Sequence, residues 1–104
     1  MDQFAVWATM QAKTGREADA RAFLGEANRR IAAEEPGTTT STVLELGDGR
    51  FAIFNTFADE GALAAHVGGP IAAWVQGINP ELFTEPYAIT RATVFGAKPF
   101  PVPA

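Results

Sequence analysis

The chain has 104 residues, no cysteine and a net charge of −4, from twelve acidic and eight basic side chains. The length fits one domain, the lack of cysteine excludes disulfides and thiolate chemistry, and the negative charge disfavours nucleic acids and anionic membranes as partners. No apolar run approaches the ~18 residues of a membrane span, and the first residues lack the basic and apolar segments of a secretory signal. We therefore expect a cytoplasmic protein.

The first half of the chain begins with a strand pattern and continues with a helix. Residues 4–11 alternate in the period of a strand. Thr14 and Glu17 have the spacing of a capping box, which predicts the start of a helix that ends at Pro36-Gly37. The apolar stripe of this helix consists of Ala20, Phe23, Leu24, Ala27 and Ile31.

The segment from Thr38 to Phe57 predicts a hairpin. Residues 38–46 are rich in β-branched side chains, and Gly47-Asp48-Gly49 is typical of a turn into the next strand. In that strand the set Phe51, Ile53, Asn55 and Phe57 points one way, and Ala52 and Phe54 point the other. Because both faces are apolar, both need cover, and a single small domain has helices for one face only. We therefore expect a homodimer.

The next segment predicts two short helices. Asp59 has the side chain of an N-cap for a helix that reaches about Val67. Gly68-Gly69 breaks this helix, and Pro70 suits the first turn of a second one, which runs through Gln76.

The remainder predicts a loop, a strand and a tail. Residues 77–86 are expected to form a loop in which Leu82 and Phe83 plug an edge of the sheet, and residues 87–95 form the last strand. Alternating prolines between residues 97 and 104 predict an extended tail. The expected organisation is one domain over residues 1–95 and a proline-rich tail over residues 96–104.

The predicted order β-α-β-β-α-β belongs to the α+β class. It fits the ferredoxin-like split βαβ fold, in which a four-stranded antiparallel sheet carries its helices on one face.

Four segments give the chain a family resemblance. They are residues 13–15 (Lys-Thr-Gly), residues 34–37 (Glu-Glu-Pro-Gly), residues 57–66 and Gly69-Pro70. Residues 57–66 are similar to the pattern Trp-x-Asp-x-x-Ala-Leu-x-x-His. Over residues 4–94 the chain resembles the antibiotic biosynthesis monooxygenase (ABM) domain family of the dimeric α/β-barrel superfamily.

The resemblance implies a pocket between sheet and helices in each subunit, with the two sheets paired as a dimeric α/β barrel. It implies oxidation of an aromatic quinol- or anthrone-like molecule by O2 without a cofactor. Two alternatives stay open. One is a protein that binds a small molecule without transforming it, and the other is a structural dimer whose cavity is filled by its own side chains.

Two polar residues are the candidate catalytic groups. His66 is a candidate proton acceptor or orienting group, because imidazole suits proton transfer near neutral pH, and Asn55 is a candidate to hold a substrate oxygen. Each also has a structural alternative, helix capping or packing for His66 and a bond to neighbouring loop backbone for Asn55. The candidate substrate-binding residues are Phe51, Ile53, Phe57, Trp74 and Gln76.

No metal or cofactor is expected, because His66 is the only histidine, the carboxylates lack ligand spacing, and nucleotide-binding glycine motifs are absent. Several residues differ from the family pattern. Phe57 stands at the family tryptophan, Ile53 at the asparagine of quinone-forming members, and Leu63 and Gln76 at their tyrosine and arginine. Haem-degrading relatives use an asparagine on the first strand and a histidine that binds the iron. In this chain the first position is Ala8 and the second lies near Trp74, which disfavours haem degradation.

Overall fold

Four antiparallel strands and three helices make up the computed structural model, which describes residues 4–84 and 88–97. The sheet has the order β2-β3-β1-β4, which is the ferredoxin-like topology expected from the sequence. In chain order the elements are β1 Phe4–Gln11, α1 Glu17–Glu34, β2 Thr38–Gly47, β3 Arg50–Phe57, α2 Glu60–Val67, α3 Pro70–Leu82 and β4 Ala88–Thr93.

The start of α1 differs from the predicted capping box. Arg16 occupies the N-cap without a side-chain cap bond, and the Glu17 carboxylate accepts a hydrogen bond from the Gly15 N–H at 2.9 Å. Gly15 has φ = 87°, a left-handed conformation that cannot continue a right-handed helix back to Thr14. The predicted stripe is confirmed, since Ala20, Leu24, Ala27 and Ile31 are all buried.

Strand β3 lies in the interior of the sheet and is apolar on both faces, as predicted. Asn55 lies opposite Val6 of β1 and is only 1% exposed, on the face covered by the helices. On the opposite face, Phe54 lies across from Trp7, and each is 37% exposed. We call this side the open face, and its exposed apolar residues are Trp7, Leu44, Leu46 and Phe54.

Helix α2 follows the prediction closely. Asp59 is its N-cap, and the Asp59 carboxylate accepts a hydrogen bond from the Ala62 N–H at 2.8 Å. The helix ends at Val67, so that His66 lies in its last turn.

Helix α3 is longer than predicted, and the prediction of a loop over residues 77–86 is wrong for its first part. The helix continues past Gln76 to Leu82, with Pro80 inside it. Val75, Asn79 and Leu82 recur at helical spacing and are buried, so packing outweighs the helix-breaking tendency of glycine and proline here.

Leu82 and Phe83 lie along the edge of β1 beyond the Thr9–Ala88 pair, where the Lys13 N–H donates to the Leu82 carbonyl at 2.8 Å. They belong to the main core cluster, and Phe83 pairs with Ala12 just beyond β1, an interior strand of the sheet.

Strand β4 ends at Thr93, which pairs with Phe4 at the start of β1. The prediction that this strand extends to Phe95 is wrong, since Phe95 is unpaired and fully exposed. Tyr87, the predicted first residue of the strand, lies outside the described residues, and so do residues 98–104 of the predicted tail. The division into a domain and a tail stays a prediction.

The burial of Phe83 gives a first test of the α3 packing. Phe83 is 1% exposed, so Phe83→Ala is expected to lower the free energy of unfolding by about 3–5 kcal/mol through the cavity it leaves. Glu81→Ala, at an exposed position in the last turn of the same helix, is expected to change it by less than about 0.5 kcal/mol. Urea denaturation of both variants measures the difference. Equal, small losses would mean that the end of α3 is not part of the core.

Candidate functional site

A small cavity lies between the helix-covered face of the sheet and helices α1 to α3. Its volume is about 60 Å³, and we call it the inner cavity. Three polar residues, Asn55, His66 and Gln76, line it. The remaining walls are mainly apolar and include Val6, Ala8, Ile31, Ile53, Ile71 and Val75.

Asn55, which lines this cavity, carries a buried polar atom without a hydrogen-bond partner among the described residues. Its Nδ2 donates a hydrogen bond to Nε2 of His66 at 3.3 Å. Its Oδ1 is buried and has no hydrogen-bond partner among the described residues. An unpaired buried acceptor costs roughly 1–3 kcal/mol, so a ligand that brought a donor to this atom would gain stabilisation.

His66 is held on both sides of its ring. The ring packs against Phe57, with centroids 5.2 Å apart, and Nδ1 lies 2.6 Å from Oε1 of Glu35. The side chains of His66 and Glu35 are only 13% and 15% exposed. Glu35 is the C-cap residue of α1, and its Oε1 also accepts a hydrogen bond from Oγ1 of Thr38 at 2.9 Å.

These contacts define the tautomer of a neutral His66. An ionised carboxylate only accepts hydrogen bonds, so Nδ1 must carry the hydrogen that points to Glu35. Nε2 is then an acceptor, and it accepts from the amide of Asn55. Glu35, His66 and Asn55 therefore form a directed hydrogen-bond chain that ends in the free Oδ1 of Asn55.

His66 also lies in the wall between two spaces. It lines the inner cavity, and it also lines a second space of about 290 Å³, whose walls include Glu34, Glu35, Pro36 and Pro70. We call this second space the outer groove. The imidazole thus connects a mostly apolar interior with a groove bordered by carboxylates.

The sequence-predicted residues divide into two groups. Ile53 and Gln76 line the inner cavity together with Asn55 and His66. Phe57 is fully buried behind the imidazole and does not line it.

Phe51 and Trp74 lie elsewhere. Phe51 is four residues along β3 from Asn55, roughly 13 Å away at the rise of a strand, and lies in the main core. Trp74 packs on Phe23 at 4.7 Å between ring centroids, with the Arg30 guanidinium 4.0 Å from its ring. On α3 the cavity is lined by residues 71, 72, 75 and 76, whereas Trp74 packs toward α1.

A larger groove of about 560 Å³ runs between α1 and β2. None of the polar site candidates lines it, and two of its charged residues, Arg21 and Glu45, pair with each other at 3.0 Å. The arrangement of polar groups therefore favours the inner cavity as the candidate site.

Glu35 is the site residue that the sequence analysis missed. It stands in the Glu34-Glu35-Pro36-Gly37 segment but is separated from His66 by 31 positions. A carboxylate at a helix end before Pro-Gly, in a chain with one histidine, is the only sequence signal for this pair. The contact also needs Gly37, because a Cβ added there would lie 2.8 Å from Cβ of Ala62 and push α2 away.

The described residues offer neither a metal site nor a membrane-spanning helix. Within residues 4–84 and 88–97, no group of three or more His, Cys, Asp or Glu side chains is placed to hold a metal ion. None of the described helices has the length and apolar character needed to cross a membrane.

Comparison with known proteins gives clear structural relatives. No family model and no curated protein matches the sequence. The solved structure of NE2512, a protein of unknown function from Nitrosomonas europaea, is 35% identical with a TM-score of 0.89, and the match covers 100% of this chain and 97% of that one.

Two more distant structures carry a functional description. Each is described as a "putative antibiotic biosynthesis monooxygenase". The protein from Deinococcus radiodurans is 21% identical with a TM-score of 0.80, covering 93% of this chain and 97% of that chain. The protein from Caulobacter crescentus is 15% identical with a TM-score of 0.79, covering 91% and 92%. At these identities the likeness concerns the fold. The ABM-type fold expected from the sequence is therefore confirmed, and the chain belongs to the same family as NE2512 of Nitrosomonas europaea.

Proposed function

We propose that the protein is a homodimeric, cofactor-independent monooxygenase that oxidises an aromatic, quinol- or anthrone-like small molecule with O2. The observation that carries the proposal is the chain from Glu35 through His66 to Asn55, a residue that lines a mostly apolar cavity and has a buried, unpaired acceptor. The ABM-type fold supports the reaction class.

In the proposed reaction the substrate supplies the electrons. Loss of one proton gives a phenolate or carbanion, which transfers an electron to O2, and the radical pair combines into a carbon-bound peroxide. The peroxide is protonated, and the remaining hydrogen on the same carbon leaves with the distal OH group as water, which breaks the C–H and O–O bonds and forms a C=O group. One oxygen atom enters the product and the other becomes water, so no further reductant is required.

The chain's own residues have distinct roles in this scheme. His66 accepts the proton or orients the group that does, and Asn55 holds the substrate oxygen. Ile53 and Gln76 line the cavity, and its mostly apolar walls keep water away from the carbanion.

The size of the cavity sets a condition on binding. A cavity that binds benzene has a volume of about 150 Å³, more than twice the 60 Å³ found here. An aromatic substrate therefore requires the cavity to widen. Ile89 on the edge strand β4 lines the cavity and is 44% exposed, so we place the opening there.

A specific observation also favours a second candidate, a protein that binds a small molecule without oxidising it. Leu63, at the position of the family tyrosine, is buried in a core cluster with Val6 and Phe57. Phe57 lacks an indole N–H, and Gln76 carries no charge. Fewer polar groups are thus available to stabilise a developing anion than the family resemblance implies.

We propose that the second subunit covers the open face. Trp7 and Phe54 are neighbours there, with ring centroids 6.4 Å apart, and Leu44 and Leu46 extend the apolar area. Exposed apolar patches of this kind mark association surfaces. Two such faces packed together form the dimeric α/β barrel. The net charge still argues against nucleic acid, and a cytoplasmic location remains part of the proposal.

Oxygen-dependent turnover tests the catalytic proposal. With a panel of anthrones and phenols under air, we expect His66→Ala to lower kcat/KM by about 10²- to 10⁴-fold and Asn55→Ala by about 10²-fold, since each removes a group that acts on the developing anion. Asn79→Ala is the matched control, because Asn79 is also a buried amide but does not line the cavity. This control is expected to keep kcat/KM within about twofold of wild type.

The second candidate has its own signature in the same assay. No oxygen consumption with any member of the panel, together with an unmodified ligand retained in native mass spectrometry, would contradict catalysis and support binding alone.

The open face is tested by the oligomeric state. Phe54→Lys places a charge at the centre of the proposed interface and is expected to convert the dimer to an 11 kDa monomer in sedimentation at micromolar concentration. Ala64→Lys, at an exposed position on α2, is the control and is expected to remain dimeric. A monomeric wild-type protein, or a dimeric Phe54→Lys variant, would exclude this interface.

A further inference from the structure

We propose that Glu35 is a positioning residue that fixes the orientation of the Asn55 amide, with Nδ2 toward His66 and Oδ1 left for a ligand. The inner cavity then selects ligands with a neutral O–H donor. The inference deepens the proposed function and rests on it in one respect, which is that the inner cavity is the ligand site. It narrows the proposed substrates to phenolic or enolic forms.

The first step is the rigidity of the Glu35 carboxylate. Glu35 sits at the C-terminal end of α1, where its backbone N–H bonds to the carbonyl of Ile31 and Oε1 accepts from Thr38. The same Oε1 is 2.6 Å from Nδ1 of His66. A carboxylate held in this way keeps the hydrogen of a neutral imidazole on Nδ1.

The second step concerns the charged groups around His66. Glu35 from α1 is the ion-pair partner recorded for the imidazole in the described chain, and Glu34 borders the same outer groove. The inner cavity contributes Asn55 and Gln76 as polar neighbours, and both are uncharged. Among the described residues, no carboxylate other than that of Glu35 forms an ion pair with Nδ1 of His66.

The third step is the orientation of the amide. With Nε2 as an acceptor, Asn55 must present Nδ2 to it, because the reverse orientation would place Oδ1 against a second lone pair at 3.3 Å. Oδ1 is then left for the ligand. A phenol or enol O–H satisfies it, whereas a ketone or a quinone has only acceptors and leaves it unpaired.

The orientation of the Asn55 amide favours binding of the substrate over binding of the product. The keto form of an anthrone lacks the donor, so its enol is the form that binds. The quinone product also lacks the donor, so binding weakens after oxidation. Nε2 of His66 is already bonded to Nδ2 of Asn55, so transfer of the substrate O–H proton to this nitrogen requires the amide to rotate away first. Once protonated, Nε2 donates to Oδ1 of Asn55, and Nδ2 is left to donate to the phenolate.

The tautomer is directly measurable because His66 is the only histidine in the chain. In long-range ¹H–¹⁵N NMR spectra of the neutral imidazole, wild type is expected to carry its hydrogen on Nδ1. Glu35→Ala is expected to shift it to Nε2, the form that free imidazole side chains prefer, and Glu35→Met, of similar length and without an oxygen acceptor, serves if the alanine variant does not fold. Glu34→Ala is the control and is expected to leave the spectrum unchanged. A hydrogen on Nε2 in wild type, or no response to either Glu35 variant, would overturn the positioning role.

Ligand class is tested with a matched pair of probes, 1-naphthol and its methyl ether, in anaerobic titration calorimetry. Wild type is expected to bind 1-naphthol about tenfold more tightly or better, since the ether leaves the buried acceptor unpaired. Asn55→Leu, of similar size, is expected to abolish the preference, and Glu35→Met, which lacks an oxygen acceptor, to reduce it. Equal binding of the two probes, no binding of either, or a preference that survives Asn55→Leu would overturn the donor selectivity. Neither measurement depends on turnover, so this inference and the proposed oxidation can fail separately.

Discussion

The site depends on one contact, the 2.6 Å hydrogen bond between His66 and Glu35. It joins the last turn of α2 to the end of α1, and it decides which nitrogen of the imidazole carries the hydrogen. The orientation of Asn55 follows from it, and so does the unpaired Oδ1 at the cavity. The contact requires α2 to pack closely on the turn after α1. Residue 37 in that turn is a glycine, and a Cβ there would lie 2.8 Å from Cβ of Ala62.

The sheet provides the second constraint. One face carries Asn55 among apolar residues and is covered by helices, while the other presents Trp7 and Phe54 to the outside. A buried amide destabilises the fold unless its hydrogen bonds are satisfied. Asn55 lies opposite Val6, between the two interior strands β3 and β1, so its presence there favours a role in ligand binding. The same two-sided strand thus connects the proposed ligand site with the proposed dimer interface.

Much of the fold follows from local sequence patterns, because strand period, helix stripe and the Asp59 cap act over a few residues. Those rules correctly placed Asn55 on the covered face and His66 at the end of α2. They failed where distant packing, or the backbone conformation of a single glycine, decides. The burial of Leu82 and Phe83 extends α3 beyond Gly77, the left-handed Gly15 prevents the capping box, and Trp74 faces α1 instead of the cavity. Glu35 was missed because its partner is far away in the sequence and only tertiary structure brings the two together.

We propose that the chain from Glu35 through His66 to Asn55 serves a ligand in the inner cavity. The decisive measurement is a crystal structure of the protein soaked anaerobically with 1-naphthol. We expect the naphthol oxygen within hydrogen-bond distance of Oδ1 of Asn55, with His66 between Asn55 and Glu35 and the cavity widened at Ile89. A naphthol bound in the groove between α1 and β2, or an Asn55 whose Oδ1 is turned away from the ligand, would contradict it.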